Sequence, residues 1–272
     1  MRVGYVQFAP EFGEVKRNLD RVTELLLRER ADLWVLPELF STGYQFATVR
    51  EAVELAEPVP KGPSTTRLLA LARESTCHIV AGLAEQAGGR AYNSAVLVGP
   101  TGLVALYRKV HLFYEEKHFF VPGDLPFTVA DIGRARVGLL VCYDHFFSEA
   151  ARALALQGAE LIAHPANLVM PGLAQLTMRV RAMENRVFTV TANRIGVEAR
   201  TGETLHFTGL SQIVAPNGDV LVQASPNQEE VRAVEIDPAQ ARDKHLTRLN
   251  DVFADRRPEF YRRLVQPEGA EG

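Results

Sequence analysis

The sequence has little cysteine and no residue pattern that is typical of a metal site. Only Cys77 and Cys142 occur among its 272 residues. Two cysteines are too few for a disulfide framework, and neither a CxxC motif nor a mixed Cys/His spacing typical of zinc is present. We therefore expect a protein of a reducing compartment whose cysteines are free thiols.

Long apolar runs are also missing. No uninterrupted apolar stretch approaches the length of a membrane-spanning helix. The first seven residues alternate like a strand and lack the long apolar segment of a signal peptide. These absences predict a cytoplasmic location and no membrane partner.

The chain has no large excess of charge. Its 33 acidic and 30 basic residues are mixed along the sequence and give a formal net charge of −3. A protein that binds nucleic acid or an anionic membrane would show a basic patch or stripe. We therefore expect no nucleic-acid partner and a small molecule instead.

What the sequence does contain is typical of one globular enzyme-sized domain. Hydrophobic residues make up 47% and charged residues 23% of the chain, which excludes extensive disorder. A chain of this length can bury a large core. We predict a single domain over residues 1–265, followed by a flexible tail over residues 266–272.

Helical periods and short apolar runs alternate along the chain, which is typical of βαβ units. Strands are predicted at 33–36, 78–82, 92–98, 103–107, 137–141 and 161–163, and a helix at 149–157 that ends at Gly158. The order also repeats, because 160–165 resembles 32–38 and 214–220 resembles 98–104. Two similar α/β halves, each with helices on one side of a mixed sheet, would bury their bare sheet faces against each other. The prediction is a four-layer αββα sandwich.

Two further segments carry structural predictions. Leu173, Leu176, Val180 and Met183 recur at helical spacing and predict a helix that buries this stripe in the core. From about Asp237 to Arg263 the chain lies outside the repeat, and we expect this segment to wrap a neighbouring subunit.

Cys142 is the first candidate for chemistry. It directly follows the apolar run 137–141 and precedes a helix-like stretch, so its thiol is expected at the carboxyl end of a buried strand. Ligands gather at the carboxyl ends of strands in open α/β sheets, and a cysteine near a helix start experiences a potential that favours its thiolate. The alternative is a buried structural cysteine, which is common.

A thiol needs a base and an oxyanion partner before it becomes a hydrolase. His145 follows Cys142 three residues later but would point away from the thiol if that segment were helical, so a Cys-His pair is disfavoured.

Glu38 follows a predicted strand in the other half and would lie at the same end of the sheets as Cys142; a solvated loop acid is the alternative. Lys109 ends the predicted hairpin and could equally be a surface lysine. The aromatic loop 113–124 can close over a substrate.

Three segments together resemble the carbon-nitrogen hydrolase (nitrilase) superfamily: Leu-Pro-Glu at 36–38, Tyr-Arg-Lys-Val-His-Leu at 107–112 and Gly-Leu-Leu-Val-Cys-Tyr-Asp at 138–144. Supporting segments lie at 92–95, 122–124, 181–186, 192–196 and 207–211. The resemblance implies the αββα fold. It also implies a catalytic set of Glu38, Lys109 and Cys142, with Glu116 as the second acid. Glu115 is the less favoured candidate for this second acid, and we expect it to be exposed to solvent.

The resemblance further implies a mechanism without metal or organic cofactor. Glu38 would remove the thiol proton as Cys142 attacks, and Lys109 with the backbone N–H of Tyr143 would stabilise the adduct. Ammonia would leave, and water activated by Glu38 would hydrolyse the thioester. Glu116 would orient the substrate or hold the network in place.

The predicted function is a cysteine-dependent hydrolase of non-peptide C–N bonds, with an amidase favoured. Members that act on nitriles often carry Cys-Trp-Glu where this chain has Cys-Tyr-Asp at 142–144. Phe146 replaces an arginine of ω-amidase-like members, which argues against recognition of a substrate carboxylate. We predict a substrate pocket lined by Tyr44, Phe119, Tyr143 and Phe146.

Alternatives remain open. They are a nitrilase acting on small aliphatic nitriles, an N-carbamoyl amine amidohydrolase and a non-catalytic scaffold that keeps the fold. We also expect a homodimer or higher homo-oligomer, paired through helix 149–157 and the C-terminal tail.

Overall fold

The computed structural model describes residues 1–266, in which two six-stranded mixed sheets form the centre of the molecule. The strands of the first sheet are β1 (Arg2–Gln7), β2 (Leu33–Val35), β3 (His78–Ala87), β4 (Arg90–Gly99), β5 (Gly102–Arg108) and β14 (Glu230–Glu235). Their order is β14-β1-β2-β3-β4-β5. Strands β1, β2 and β3 are parallel, and the other neighbours are antiparallel.

The second sheet repeats this arrangement. Its strands are β6 (Val129–Asp131), β7 (Arg136–Leu139), β8 (Leu161–Pro165), β9 (Phe188–Ala192), β12 (Gln212–Val214) and β13 (Val220–Gln223). The order is β13-β12-β9-β8-β7-β6, with β7, β8 and β9 parallel. Strands β1 to β5 therefore correspond to β7, β8, β9, β12 and β13, and β14 corresponds to β6. The predicted repeat of two α/β halves is confirmed by this topology.

The helices are α1 (Val15–Leu26), α2 (Val49–Leu55), α3 (Pro63–Ser75), α4 (Glu116–Phe119), α5 (Ser148–Leu156) and α6 (Leu173–Asn185). Helices α1 and α3 cover the outer face of the first sheet, and α5 and α6 cover that of the second. Two hairpins lie outside the sheets: β10 (Ile195–Glu198) with β11 (Leu205–Thr208), and β15 (His245–Thr247) with β16 (Asn250–Asp251). Helix α5 connects β7 to β8 as α1 connects β1 to β2, so the helices share the repeat.

The core has the layers that the sequence predicts. Alternate residues of a strand point to opposite faces, so Val35 of β2 packs between the sheets with Leu139 and Ala163 of the second sheet. Its neighbour Trp34 packs outward against α1 and α3. On the other side, α5 and α6 pack against Ile162 of β8. The αββα sandwich is confirmed.

The predicted buried stripe of α6 is wrong. Leu176 is 60% and Met183 48% exposed, whereas the buried residues of this helix are Ala174, Gln175, Met178, Arg181, Ala182 and Asn185. Small alanines let the helix lie close to the layer beneath it. Arg181 is accepted there because its guanidinium donates to the backbone oxygens of His145 and Phe146 at 3.1 and 3.2 Å. The helix has two apolar sides, and periodicity alone selected the outer one.

The C-terminal part lies outside both sheets, as expected. It contains the short 3₁₀ turns Pro238–Ala241, Pro258–Phe260 and Arg262–Val265 and the β15–β16 hairpin. Apart from Gln266, the predicted tail falls outside the described residues. Among the helices of residues 1–266, none is both long enough and apolar enough to cross a membrane.

Candidate active site

Polar side chains from both halves meet where the central strands end. Glu38 follows β2, Lys109 follows β5 and Cys142 follows β7, while Glu116 begins the short helix α4. All four are buried, with exposures of 0% for Glu38 and Lys109, 4% for Glu116 and 5% for Cys142. The structure thus brings together four residues that are far apart in the sequence.

Lys109 is the centre of a buried ionic network. Its Nζ lies 2.7 Å from Oε1 of Glu38 and 2.8 Å from both carboxylate oxygens of Glu116. The Asn93 side-chain amide donates to Oε1 of Glu38 at 2.7 Å, and the Tyr44 hydroxyl donates to Oε1 of Glu116 at 2.7 Å. A buried charge is tolerated when it is paired and hydrogen-bonded, and this network meets both conditions.

Two glycines allow the chain to come close enough for this network. A Cβ on Gly82 of β3 would lie 2.5 Å from Cα of Glu38, and one on Gly123 would lie 2.1 Å from the backbone oxygen of Arg108. Gly123 also donates its N–H to the backbone oxygen of Lys109 at 2.8 Å. Larger residues at these positions would displace the backbone of Glu38 or Lys109.

Cys142 lies on a strained turn. Its φ is +42°, a left-handed conformation that is uncommon for a residue other than glycine, and it begins the 3₁₀ helix Cys142–Phe146. Buried Asp144 secures this turn: Oδ2 accepts from the N–H of Val141 at 2.9 Å and from the Tyr107 hydroxyl at 2.8 Å. Nε2 of His164 donates to the Cys142 carbonyl at 2.8 Å. Strain held by surrounding bonds is typical of functional sites.

The position of Cys142 at the start of a 3₁₀ helix does not make the thiolate its resting form. Burial raises the pKa of the Cys142 thiol well above its usual value, and the Glu38 carboxylate raises it further, against the opposing effect of Lys109. The start of a five-residue 3₁₀ turn does not offset these two effects. The resting sulfur is therefore a protonated thiol that needs a base.

Glu38 has the properties of such a base. Burial, opposed by Lys109 and reinforced by Glu116, raises the pKa of Glu38 to about 7. Its Oε2 is buried and has no hydrogen-bond partner in residues 1–266. Burial acts to lower the pKa of Lys109, but Glu116 and Glu38 outweigh it and hold that pKa above its usual value. At neutral pH the site therefore holds a fixed cation beside a carboxyl that can gain or lose a proton.

A cavity of about 190 Å³ opens beside the sulfur. Its lining residues are Phe113, Cys142, Tyr143, His145, Phe146, Asn167, Leu168, Val169, Met170, Leu173 and Ala174. Most are apolar, and none carries a carboxylate, guanidinium or ammonium group. The cavity is thus shaped for a small uncharged group bound next to Cys142.

The structure places the predicted pocket residues in different surroundings. Tyr143 and Phe146 line the cavity, but Tyr44 and Phe119 do not. Tyr44 is turned toward the carboxylate of Glu116, and Phe119 packs against an apolar cluster beneath α2 and α4. Glu115 is half-buried rather than exposed, because it directly precedes α4 in the folded loop.

His145 is not paired with the thiol. Its Nδ1 lies 2.6 Å from Oγ1 of Thr177, and within residues 1–266 its ring makes no hydrogen bond to Cys142. Burial, followed by the nearby His164, lowers the pKa of His145 to about 3. The imidazole is therefore neutral, which agrees with the prediction that a Cys-His pair is disfavoured.

Sequence reasoning missed the residues that hold the network. Glu198 accepts from the backbone N–H groups of Tyr44 and Gln45 at 3.2 and 2.6 Å and is paired with buried Arg194. The Arg194 guanidinium lies 3.9 Å from the ring centroid of Phe207, which packs edge-on against Tyr44. Arg194 and Phe207 lie in segments already singled out by the resemblance, but nothing in the sequence links them to Tyr44.

No group of three or more side chains of the metal-binding types converges anywhere in residues 1–266. The cluster at Cys142 instead combines a thiol, a lysine and two carboxylates. This set can generate a nucleophile, stabilise an anion and transfer protons.

Comparisons with known proteins agree with this chemistry. The family model for carbon-nitrogen hydrolases matches residues 2–245. A protein from Pyrococcus abyssi called a nitrilase is 50% identical over 96% of this chain and 99% of its own length. An (R)-stereoselective amidase from a Pseudomonas species is 38% identical over 94% of this chain and 92% of its own length. Among solved structures, a carbon-nitrogen hydrolase from Helicobacter pylori G27 superposes with a TM-score of 0.88 at 28% identity, covering 98% of both chains.

Proposed function

This chain belongs to the carbon-nitrogen hydrolase family, and from that premise we propose that it is an amidase that releases ammonia from a small uncharged amide. Cys142 is the nucleophile, Glu38 the general base and acid, and Lys109 the oxyanion partner. The observation that carries the proposal is the buried contact of Lys109 with both Glu38 and Glu116 beside the Cys142 thiol. An ionic cluster this deeply buried is costly to fold, which supports a role in chemistry.

The first step follows from the protonation states. The thiol of Cys142 is neutral at rest, so attack on the amide carbonyl requires that its proton leave as the C–S bond forms. Glu38, with a pKa of about 7, accepts that proton. A base whose pKa lies near the working pH is the most effective choice.

The tetrahedral adduct places a negative charge on the former carbonyl oxygen. Lys109 supplies one donor. The backbone N–H of Tyr143, in the first turn of the 3₁₀ helix Cys142–Phe146, supplies a second. Each donor of this kind contributes about 3 to 4 kcal/mol to transition-state stabilisation in comparable sites.

Collapse of the adduct breaks the C–N bond. Glu38 returns its proton to the departing nitrogen, ammonia leaves, and the acyl group remains on Cys142 as a thioester. Glu38 then takes a proton from the attacking water, and it returns that proton to the sulfur as the second tetrahedral adduct collapses to the carboxylic acid and the free thiol. Glu116 holds Lys109 in place throughout.

A nitrilase is the second candidate, because the Pyrococcus abyssi relative carries that name. The residues after the nucleophile favour the amide, since Tyr143 and Asp144 stand where nitrile-acting members often have Trp-Glu. Asp144 is also fully occupied by its bonds to Val141, Tyr107 and His111.

Matched substrates distinguish the two activities. Ammonia release is measured for butyramide and for butyronitrile under the same conditions. We expect kcat/KM for the amide to exceed that for the nitrile by at least tenfold. Faster release from the nitrile would assign the nitrilase activity instead, and release from neither across a panel of amides, nitriles and carbamoyl amines would support the scaffold.

We also propose that the protein forms a homodimer through α5 and α6. These helices pack on each other and expose apolar side chains, with Leu156 46%, Leu176 60% and Met183 48% accessible. Exposed apolar surface of this kind is typical of a subunit interface. Light scattering should give the mass of a dimer or larger assembly, and a strict monomer at micromolar concentration would contradict it.

A further inference from the structure

Besides the Cys142 thiol and the Tyr143 hydroxyl, two residues with polar side chains line the cavity beside Cys142. They are Asn167 and His145. Neither takes part in the ionic network of Glu38, Lys109 and Glu116, and the reaction described above does not use them. A group that these two side chains bind would therefore belong to a part of the substrate away from the C–N bond that is broken.

Asn167 is an unsatisfied carboxamide at the nucleophile. It is 2% exposed, and both Oδ1 and Nδ2 are buried without a hydrogen-bond partner in the described residues. Its backbone oxygen lies 3.9 Å from Sγ of Cys142, so the residue belongs to the immediate surroundings of the sulfur. Nearby Asn193 provides a contrast, because its side chain bonds Leu168, Thr208 and Gly209. An unpaired buried amide is unfavourable unless a ligand satisfies it.

In residues 1–266, a hydrogen-bond partner is seen for only one ring nitrogen of His145. Nδ1 is occupied by Oγ1 of Thr177 at 2.6 Å, whose hydroxyl can donate onward to the backbone oxygen of Ala174 at 3.2 Å. That arrangement places the proton on Nδ1 and leaves Nε2 as an acceptor. If the hydroxyl instead donates to Nδ1, then Nε2 becomes a donor. A ligand group that both donates and accepts satisfies either tautomer.

Charge in the cavity limits the ligand further. The lining contains no cation to pair a substrate carboxylate and no anion to pair an ammonium group. Transfer of an unpaired charge into such surroundings is strongly unfavourable. A neutral group with a donor and an acceptor remains, and a hydroxyl is the smallest that qualifies.

From this arrangement we propose that Asn167 and His145 are specificity residues that bind a hydroxyl group on the acyl part of the substrate. The substrate class is thus a short hydroxylated aliphatic amide. This inference rests on the proposed amidase function. It goes beyond that function by naming which acyl groups are preferred and which residues select them.

The test compares amides of one length. Ammonia release gives kcat/KM for butyramide, 3-hydroxybutyramide, 4-hydroxybutyramide, succinamate and 4-aminobutyramide. We expect at least one hydroxylated amide to exceed butyramide by tenfold or more, because a site with unpaired polar groups discriminates against an analogue that lacks their partner. The two charged amides should fall below butyramide by roughly a hundredfold.

Variants then assign the preference to the two residues. Asn167→Leu removes both polar atoms at nearly constant volume and should reduce the preference for the hydroxylated amide to threefold or less. His145→Asn and His145→Gln form a matched pair, because the amide of Asn reaches the position of Nδ1 and that of Gln the position of Nε2. His145→Asn should lose the preference, and His145→Gln should keep most of it. The preference is the ratio of kcat/KM for the hydroxylated amide to kcat/KM for butyramide in the same variant. A loss of activity that affects both substrates equally therefore does not change it.

The outcomes separate this inference from the proposed function. Release of ammonia from butyramide with no gain from either hydroxyl, or a preference for succinamate or 4-aminobutyramide, would overturn the inference and leave the amidase intact. A hydroxyl preference that survives both Asn167→Leu and His145→Asn would remove these residues from the role. Wild-type protein that hydrolyses no amide at all would instead contradict the function. If Asn167→Leu does not fold, the ranking of the amides by the wild-type protein and the comparison of His145→Asn with His145→Gln still test the proposal.

Discussion

The two sides of the active site differ in charge, because one side pairs buried ions and the other leaves a neutral carboxamide unpaired. The first half of the repeat supplies what we term the charged wall, formed by Glu38, Lys109 and Glu116, in which the cation is paired with both acids. The second half supplies the neutral wall, formed by Asn167, His145 and apolar side chains around Cys142. On this account, the charged wall carries the bond-breaking chemistry and the neutral wall selects the substrate.

The difference also separates two kinds of energetic cost. The charged wall removes three ionisable groups from water, and contacts with Lys109 offset part of that cost for the two acids. The neutral wall leaves one carboxamide unpaired, a cost that a bound substrate can relieve. Substitutions in the charged wall should therefore lower turnover and also change the free energy of unfolding, with a sign that depends on the charge removed, whereas those in the neutral wall should mainly change selectivity.

The largest effect is expected for Lys109→Met. Loss of the cation leaves two buried carboxylates together and removes an oxyanion donor, so turnover should fall by at least about a thousandfold. The free energy of unfolding should fall by about 3 to 5 kcal/mol. Urea unfolding and ammonia release measure the two effects. Lys117→Met, which changes an exposed lysine of α4, is the matched control and should leave both nearly unchanged. A Lys109→Met protein as stable as the control would contradict the account of the charged wall.

Glu38→Gln should separate activity from stability. The substitution removes the base and should lower turnover by roughly a hundredfold to ten-thousandfold. The pKa of Glu38 is raised from 4.5 to about 7 in the folded protein, so the folded state holds the proton more tightly than the unfolded state. Stability of the wild type should therefore fall as the pH rises from about 4.5 to about 7. The glutamine variant should lack this contribution and be the more stable protein above pH 7.

Urea midpoints measured across this pH range test whether the glutamine variant is the more stable protein above pH 7, with Glu74→Gln at an exposed site as the control.

The pH dependence of wild-type activity is a second test of the role of Glu38. Because Glu38 must be ionised to accept the thiol proton, kcat/KM should decline below about pH 7. A glutamine variant that is less stable above pH 7 would show that Glu38 favours the fold as an anion.

Tyr44→Phe should have a smaller effect, confined to the charged wall. The substitution deletes the hydroxyl that donates to Glu116 at 2.7 Å and keeps the ring against Phe207. One lost hydrogen bond to a charged group costs about 1.5 to 3 kcal/mol, so the free energy of unfolding should fall by that amount, and turnover should fall less than in Lys109→Met because Lys109 and both acids remain. The ratio of hydroxylated amide to butyramide should not change. A changed ratio would mean that the two walls do not act independently.

The sequence was sufficient for the fold because its signals were redundant. Apolar strands, the paired segments 32–38 and 160–165, and the glycine-rich hairpins each pointed to two repeated halves. The direction in which side chains point was harder to predict from the sequence. Helix α6 has apolar residues on two sides, and only the packing of Ala174, Met178 and Ala182 shows which side is buried.

The site was predicted to a similar extent. Glu38 and Lys109 follow strand ends and lie in segments of the family resemblance, so the sequence predicted that they lie together; Glu116 was predicted from the resemblance alone. The raised pKa of Cys142 was not accessible, because it depends on burial and on nearby charges in the folded chain. Asn167 was missed for a related reason, since whether a side chain is left unpaired depends on which groups lie within hydrogen-bonding distance of it in the folded chain.

The proposed chemistry requires that Cys142 becomes acylated with the help of the charged wall. Intact-mass spectrometry of enzyme mixed with an amide and quenched in acid at early times tests this requirement. An added acyl mass should map to Cys142, disappear as substrate is consumed and be absent from Cys142→Ala. An adduct on Cys77, or full turnover by Cys142→Ala, would contradict it.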